Sequence, residues 1–178
     1  MNLKIFFLRI AIIFFLLISL IPFEYIFKSN KISIIFLLDF SDSVLVLHKK
    51  NTKNLADFYK KKIDAYLHEF SKQNSLRNTE ISIIFFADGV EINTLFQPAT
   101  QSFELGFPKI EKKTTRIDNA IELSINMLKN KARSQIVIFS DGQFESNLED
   151  RASKLLVNSN VEVFCYASFH KDISNPKD

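Results

Sequence analysis

Two short runs in this chain are apolar almost throughout rather than at alternate positions, and each leads into an aspartate. They are Lys31–Leu38 (KISIIFLL) before Asp39 and Gln135–Ser140 (QIVIFS) before Asp141-Gly142. A strand with one wet face alternates apolar and polar residues. A strand apolar on both faces must be covered on both, as in the middle of a parallel sheet with helices above and below. The two runs therefore predict two central strands of one sheet, each delivering a carboxylate where it ends.

The rest of the sequence fills in that sheet. Asn51 or Thr52 can cap a helix running to about Lys72, whose Leu55, Phe58, Tyr59, Ile63, Tyr66, Leu67 and Phe70 recur at intervals of three and four. Glu80–Ala87 and Val90–Phe96 read as strands joined by Asp88-Gly89, a strong signal for a tight hairpin. The second of them is then antiparallel and lies at a sheet edge. Gln97–Lys113, with Pro98, Gly106 and Pro108, is an irregular connection with room for one helical turn. Ile117–Leu128 is a helix, Leu148–Val157 another, and Val161–Ala167 a last strand. The predicted fold class is α/β: a doubly wound, mostly parallel sheet with one antiparallel edge strand, helices on both faces through right-handed crossovers. Ligands of such sheets bind beyond the carboxyl ends of the strands, where strand order reverses. That rule points to Asp39 and Asp141.

Residues Ile5–Phe27 are apolar except for Arg9 and Glu24, long enough as a helix to cross the roughly 30 Å hydrocarbon core of a bilayer. The uninterrupted part, Ile10–Phe23, has the size of a signal-peptide core. No small-x-small cleavage site follows, and Tyr25 and Phe27 can sit at headgroup level, which favours an uncleaved anchor. The expected organisation is a transmembrane anchor or signal segment at 1–28, a domain at 29–170 and a tail at 171–178. The expected placement is a single-pass membrane protein with its domain outside the cytoplasm.

Composition excludes several functions. A net charge of +3, with no aromatics interleaved among the lysines, gives no footprint for nucleic acid. Lys49, Lys50, Lys53, Lys60, Lys61 and Lys62 read as the solvated face of one helix. The single cysteine, Cys165, lies in an apolar run and reads as a buried, inert thiol. His48, His68 and His170 fit no metal spacing and read as surface residues. No Ser-His-Asp order, glycine-rich phosphate loop or HExxH sequence is present.

The loop after the first buried run is Asp39-Phe40-Ser41-Asp42-Ser43. A carboxylate and two hydroxyls at alternate positions can converge on one point. Hard, sparsely charged oxygen donors of this kind suit Mg²⁺ or Mn²⁺. Thr115 stands just ahead of the Ile117 helix and can add a hydroxyl, and Asp141 ends the matching strand. The ordered set Asp39-x-Ser41-x-Ser43, threonine before a helix, then Asp141 in IVIFSDG is similar to the metal-ion-dependent adhesion site of von Willebrand factor type A (VWA) domains, over Lys31 to about Ala167. The resemblance implies Ser41, Ser43 and Thr115 as hydroxyl ligands, with Asp39 and Asp141 as direct or water-bridged carboxylates. Two carboxylates neutralise a dication and leave it able to attract a third from a partner.

The chain departs from the family at Asp42, where glycine is common, and at Lys112-Lys113-Thr114-Thr115, which lacks the usual glycine and leaves Thr114 as the alternative ligand. A third carboxylate can strengthen cation binding or blunt the attraction of an acidic ligand. The family usually adds another strand and helix after the position of Ala167, so a truncated paralogue with an idle metal site is one competing expectation. The resemblance implies a membrane-tethered module, not an enzyme, that binds a protein partner through a carboxylate; in bacteria such modules often work beside a MoxR-type AAA+ ATPase. The other competitor, a Mg²⁺-dependent phosphoryl-transfer enzyme of the haloacid-dehalogenase type, needs an acid/base aspartate two residues after Asp39. Position 41 is serine.

Overall fold

Strand β1 (Ile32–Asp39) is buried at every residue, and its odd and even side chains enter two different cores. Ile34, Phe36 and Leu38 face helix α2 (Thr52–Ser71) through Leu55, Tyr59, Ile63 and Leu67. Ile35 and Leu37 face helix α3 (Ile117–Leu128) through Ile117, Ala120, Ile121 and Leu128. This is the period-two geometry of a strand under cover on both sides. The architecture is that of a computed structural model, which describes residues 31–48 and 51–167 and the single residue Ile12.

The remaining elements are helix α1 (Asp42–Leu47), strand β2 (Thr79–Phe86) after a short 3₁₀ turn, and strand β3 (Val90–Pro98). Strand β4 (Arg133–Ser140), helix α4 (Ser146–Val157) and strand β5 (Glu162–Ala167) complete the set. The sheet order is β3-β2-β1-β4-β5, parallel except for β3, which pairs antiparallel with β2 at one edge. The predicted fold class holds for this sheet. Strand order reverses at β1, so the carboxyl ends of β1 and β4 flank the switch point.

Local chemistry explains most boundaries. Asn51 caps α2, its side-chain oxygen accepting from the N–H groups of Lys53 and Asn54 at 3.0 and 3.2 Å. Pro98, which has no N–H to give, ends the edge strand. Three expectations need correction. The loop read after Asp39 runs at Asp42 into helix α1, whose Val44 and Leu45 are buried; six residues are too few to show a helical period. The β2–β3 turn uses three residues, Ala87 to Gly89, and Gly89 does not take a positive φ. It is held instead by the distant 111–116 segment: Asp88 N–H donates to Glu111 O at 3.1 Å and Arg116 N–H to Ala87 O at 2.7 Å. No helical turn forms between Pro98 and Arg116, where buried Phe103 pins the chain and Lys60 donates to its carbonyl at 3.0 Å.

The expected anchor and the tail at 171–178 lie outside the described residues. Among those residues, no helix is long and apolar enough to cross a membrane. The chain divides into compact units at 1–30 and 31–178, and the sheet belongs to the second.

At the amino end of the sheet, Glu80 is buried between Lys31 and Lys131, each 2.6 Å away, and accepts from Ser33 Oγ at 2.7 Å. Burial opposes its ionisation, but the hydrogen bonds from Lys131, Lys31 and Ser33 outweigh it and hold the carboxyl down from its ordinary 4.5 to about 2. A depressed folded-state value gives stability that is present above the unfolded value and lost as pH falls through the folded one. Glu80→Gln should therefore lower the unfolding free energy by about 3 kcal/mol at pH 7. Urea titrations of both proteins should show that gap closing between about pH 5 and pH 2; a gap independent of pH would refute the ion-pair account.

Candidate metal centre

Three loops meet at the switch point: the one after β1, the one before α3 and the one after β4. Asp39 ends β1 with no solvent exposure. Its Oδ1 accepts from Ser41 N–H at 2.9 Å, its Oδ2 accepts from Ser140 Oγ at 2.6 Å, and its carbonyl accepts from the Tyr59 hydroxyl at 2.6 Å. The carboxylate and backbone of Asp39 are thus held by its own following loop, by the end of β4 and by α2. Burial raises its pKa and the nearby Asp141 adds to that, against the hydrogen bonds from Ser140 and Ser41.

Ser41 and Ser43 lie on one side of the start of α1, their hydroxyls 3.0 Å apart. Asp42, between them, is exposed; its N–H donates to Lys112 O at 2.9 Å and ties this loop to the threonine loop. Thr114 donates its hydroxyl to Asp88 Oδ1. Thr115 has no such bond and lines, with Ser41, Ser43, Lys112 and Glu145, a cleft of about 220 Å³. On the third loop Asp141 Oδ1 accepts from Gln143 N–H at 3.0 Å, while Oδ2 is buried and has no partner. Gly142 makes this turn with φ +76°, a conformation glycine adopts without strain.

These residues suit a hard cation. A buried carboxylate oxygen without a donor is costly, and a cation is the partner that removes the cost. A dication would also reverse the electrostatics that oppose ionisation of Asp39 beside Asp141. Among the described residues no group of three or more His, Cys, Asp or Glu is placed to hold a metal. A cation here would draw on hydroxyl oxygens as well as on the two carboxylates.

Five residues named from the sequence, Asp39, Ser41, Ser43, Thr115 and Asp141, thus come to one end of the sheet; Thr114 lines the cleft as well, but its hydroxyl is given to Asp88. Sequence reasoning missed Ser140, whose hydroxyl also accepts from Gly142 N–H at 3.1 Å, along with Tyr59 and Asp88. Ser140 adjoins Asp141 and could have been found from its place at the strand end. Asp88 looked like a turn residue and gave no signal.

Two further expectations change. Cys165 is exposed, because β5 is the outer strand, although surrounding protein still pushes its thiol pKa up and leaves it no activated nucleophile. His48 is half-buried, its ring 4.9 Å from that of Phe58. A larger cavity, about 520 Å³, lies between α2 and β5 against Tyr66, Phe70, Phe139 and Tyr166. Burial, with Tyr166 and Glu162 nearby, pushes Tyr66 up to about 12, so its phenol stays neutral; the site's carboxylates are not among the lining residues.

Ser140→Ala would remove the donor to Asp39 and the acceptor for Gly142 at once. It should cost about 1–3 kcal/mol in urea unfolding without metal. Ser140→Cys or Ser140→Thr should recover part of the loss, and an unchanged midpoint in Ser140→Ala would show that the hydroxyl does not hold the Asp39 carboxylate.

The sequence matches the family model of the von Willebrand factor type A domain over residues 34–143, more than half of the chain. Among curated proteins, none matches it. Solved structures share the fold. An aerotolerance-related membrane protein from Bacteroides fragilis aligns at 19% identity and TM-score 0.53, covering 75% of this chain and 66% of that one. BatB from Bacteroides thetaiotaomicron aligns at 18% and 0.52, covering 75% and 65%. The ArnB paralog VWA2 from Sulfolobus acidocaldarius aligns at 19% and 0.51, covering 77% of this chain and 34% of that one. This chain thus spans just under two thirds of each Bacteroides structure and about a third of the archaeal one. At these identities the likeness is one of fold, and it agrees with the family match. This chain belongs to the von Willebrand factor type A domain family.

Proposed function

We propose that this chain is an interaction module that binds a divalent cation, Mg²⁺ or Mn²⁺, and through it a carboxylate on a protein partner. Ser41, Ser43 and Thr115 would supply hydroxyl oxygens, and Asp39 and Asp141 carboxylates, directly or through water. The observation that carries this is the buried, unpartnered Oδ2 of Asp141, whose charge is felt by Asp39, together with the facing hydroxyls of Ser41 and Ser43 in the loop that follows Asp39. When bound, the cation supplies a positive centre that an incoming carboxylate can complete. Lys112 and Lys113 on the rim of the cleft favour an acidic partner as well.

Asp39 lacks the companion that phosphoryl transfer would need. Position 41 is serine, and its backbone N–H is already given to Asp39. A binding module requires no such group. The apolar segment Ile5–Phe27 supports a membrane tether, as does the fold shared with an aerotolerance-related membrane protein. On that reading the domain is held at a membrane surface, outside the cytoplasm, where its partner meets it.

The test is thermal unfolding of the full chain in mild detergent, with EDTA and then with Mg²⁺ or Mn²⁺. A ligand that binds only the folded state raises the midpoint; at about one hundred times Kd the gain is about 2.7 kcal/mol, or roughly 5–10 °C for a domain of this size. Asp141→Asn and Ser43→Ala should each remove most of that rise. Equal midpoints with EDTA and with either ion up to 10 mM (about the limit of a useful site) would favour the idle-site alternative.

A further inference from the structure

Two adjacent threonines compete for one role in the loop before α3, and the structure contains a device that decides between them. We propose that Asp88, in the β2–β3 turn, is a positioning residue for the cation site: by holding Thr114 it fixes Thr115 toward the cleft. The inference rests on the cation site proposed above and adds to it a residue from outside the cleft.

The Thr114 hydroxyl is donated to Asp88 Oδ1. Both threonines line the cleft with Ser41 and Ser43, but among the described residues no hydrogen bond engages the Thr115 hydroxyl. On the other side of Thr115, Arg116 is fixed twice. Its N–H donates to Ala87 O at 2.7 Å, and its guanidinium pairs with the wholly buried Asp118 at 3.2 Å. Asp118 is held in turn by Arg151 of α4 at 3.1 Å. Thr115 therefore sits between two anchored neighbours, and both anchors reach the same turn, through the side chain of Asp88 and the carbonyl of Ala87. The Asp88 N–H adds a third tie, to Glu111 O at 3.1 Å.

Physical reasoning gives these ties a purpose. The threonine loop has no regular structure from Gln101 to Arg116. A hydroxyl ligand must be held within about half an ångström to be useful, and loops without support do not achieve this. Without the bond to Asp88, Thr114 and Thr115 could exchange places, each exchange drawing a hydroxyl out of the site. Groups that orient metal ligands from outside typically account for about 10- to 100-fold in metal affinity.

The experiment measures Mn²⁺ affinity of the full chain in mild detergent from the electron paramagnetic resonance signal of free Mn²⁺, beside the melting temperature in EDTA. Asp88→Ala should weaken Mn²⁺ binding about tenfold while the melting temperature in EDTA stays within about 3 °C of the parent. Asp88→Asn, which keeps an acceptor oxygen, should restore most of the affinity. Thr114→Val should reproduce the loss, and the double variant should be no weaker than either single one, since both cut the same bond. Thr115→Val should lose more than any of them. If Asp88→Ala fails to fold, Asp88→Asn and Thr114→Val carry the test. Parental affinity in Asp88→Ala or, failing that, in Thr114→Val, with a loss in Thr115→Val, would overturn the positioning role and leave the cation site standing. Absence of Mn²⁺ binding by the parent chain would overturn both.

Discussion

Asp39 is a carboxylate with no solvent exposure at the end of a strand buried at every residue. An ionised group in that position is unfavourable unless it is hydrogen-bonded or paired. Two donors, Ser41 N–H and Ser140 Oγ, reach it, one to each oxygen, while burial and Asp141 work against the charge. One donor comes from the loop after β1 and the other from the last residue of β4, so Asp39 is accommodated when β1 and β4 are in register and the first loop is closed. The hydrophobic cores on the two faces of β1 supply the driving force that holds this arrangement together. The site is therefore a consequence of complete folding and cannot form in one loop alone.

The same constraint explains why hydroxyls and backbone groups dominate the site. Each added carboxylate near Asp39 would raise the cost of ionising it further. Serine and threonine provide oxygen donors without that cost, and their hydroxyls can hydrogen-bond one another, as those of Ser41 and Ser43 do at 3.0 Å. Among the described residues, only Asp141 retains a buried side-chain oxygen that no protein group satisfies.

Much of this was legible in the sequence because it is written locally. The unbroken apolar runs identify β1 and β4, the three-and-four spacing of Leu55, Tyr59, Ile63 and Leu67 identifies α2, and the Asn51 side chain makes the cap its identity suggests. The aspartates and serines of the candidate site could be named because each lies where a strand ends. What escaped was set by distant contacts. The Asp88-Gly89 pair signals a two-residue turn, yet Glu111 and Arg116 draw it into a three-residue one. The choice between Thr114 and Thr115 depends on Asp88, 26 residues away from Thr114. Cys165 sits in an apolar run like those of β1 and β4, but its strand has one neighbour in place of two.

The departures from the family pattern also make electrostatic sense together. Asp42 and Glu145 line the cleft with Lys112 and Lys113, and Asp39 and Asp141 stand at the ends of β1 and β4; these six side chains carry a formal charge of −2 when all are ionised. In that state an acidic partner would be repelled. A dication brings the balance to zero and places its charge where a carboxylate would dock, while Asp42 stays exposed at the start of α1 and its N–H ties the first loop to Lys112. On the proposed function, the added acid and the added lysines would make attraction of an acidic partner conditional on the cation. On the proposed function, Asp42 acts as the element that discriminates against cation-free binding, and the loss of glycine at that position is offset by the helix it begins.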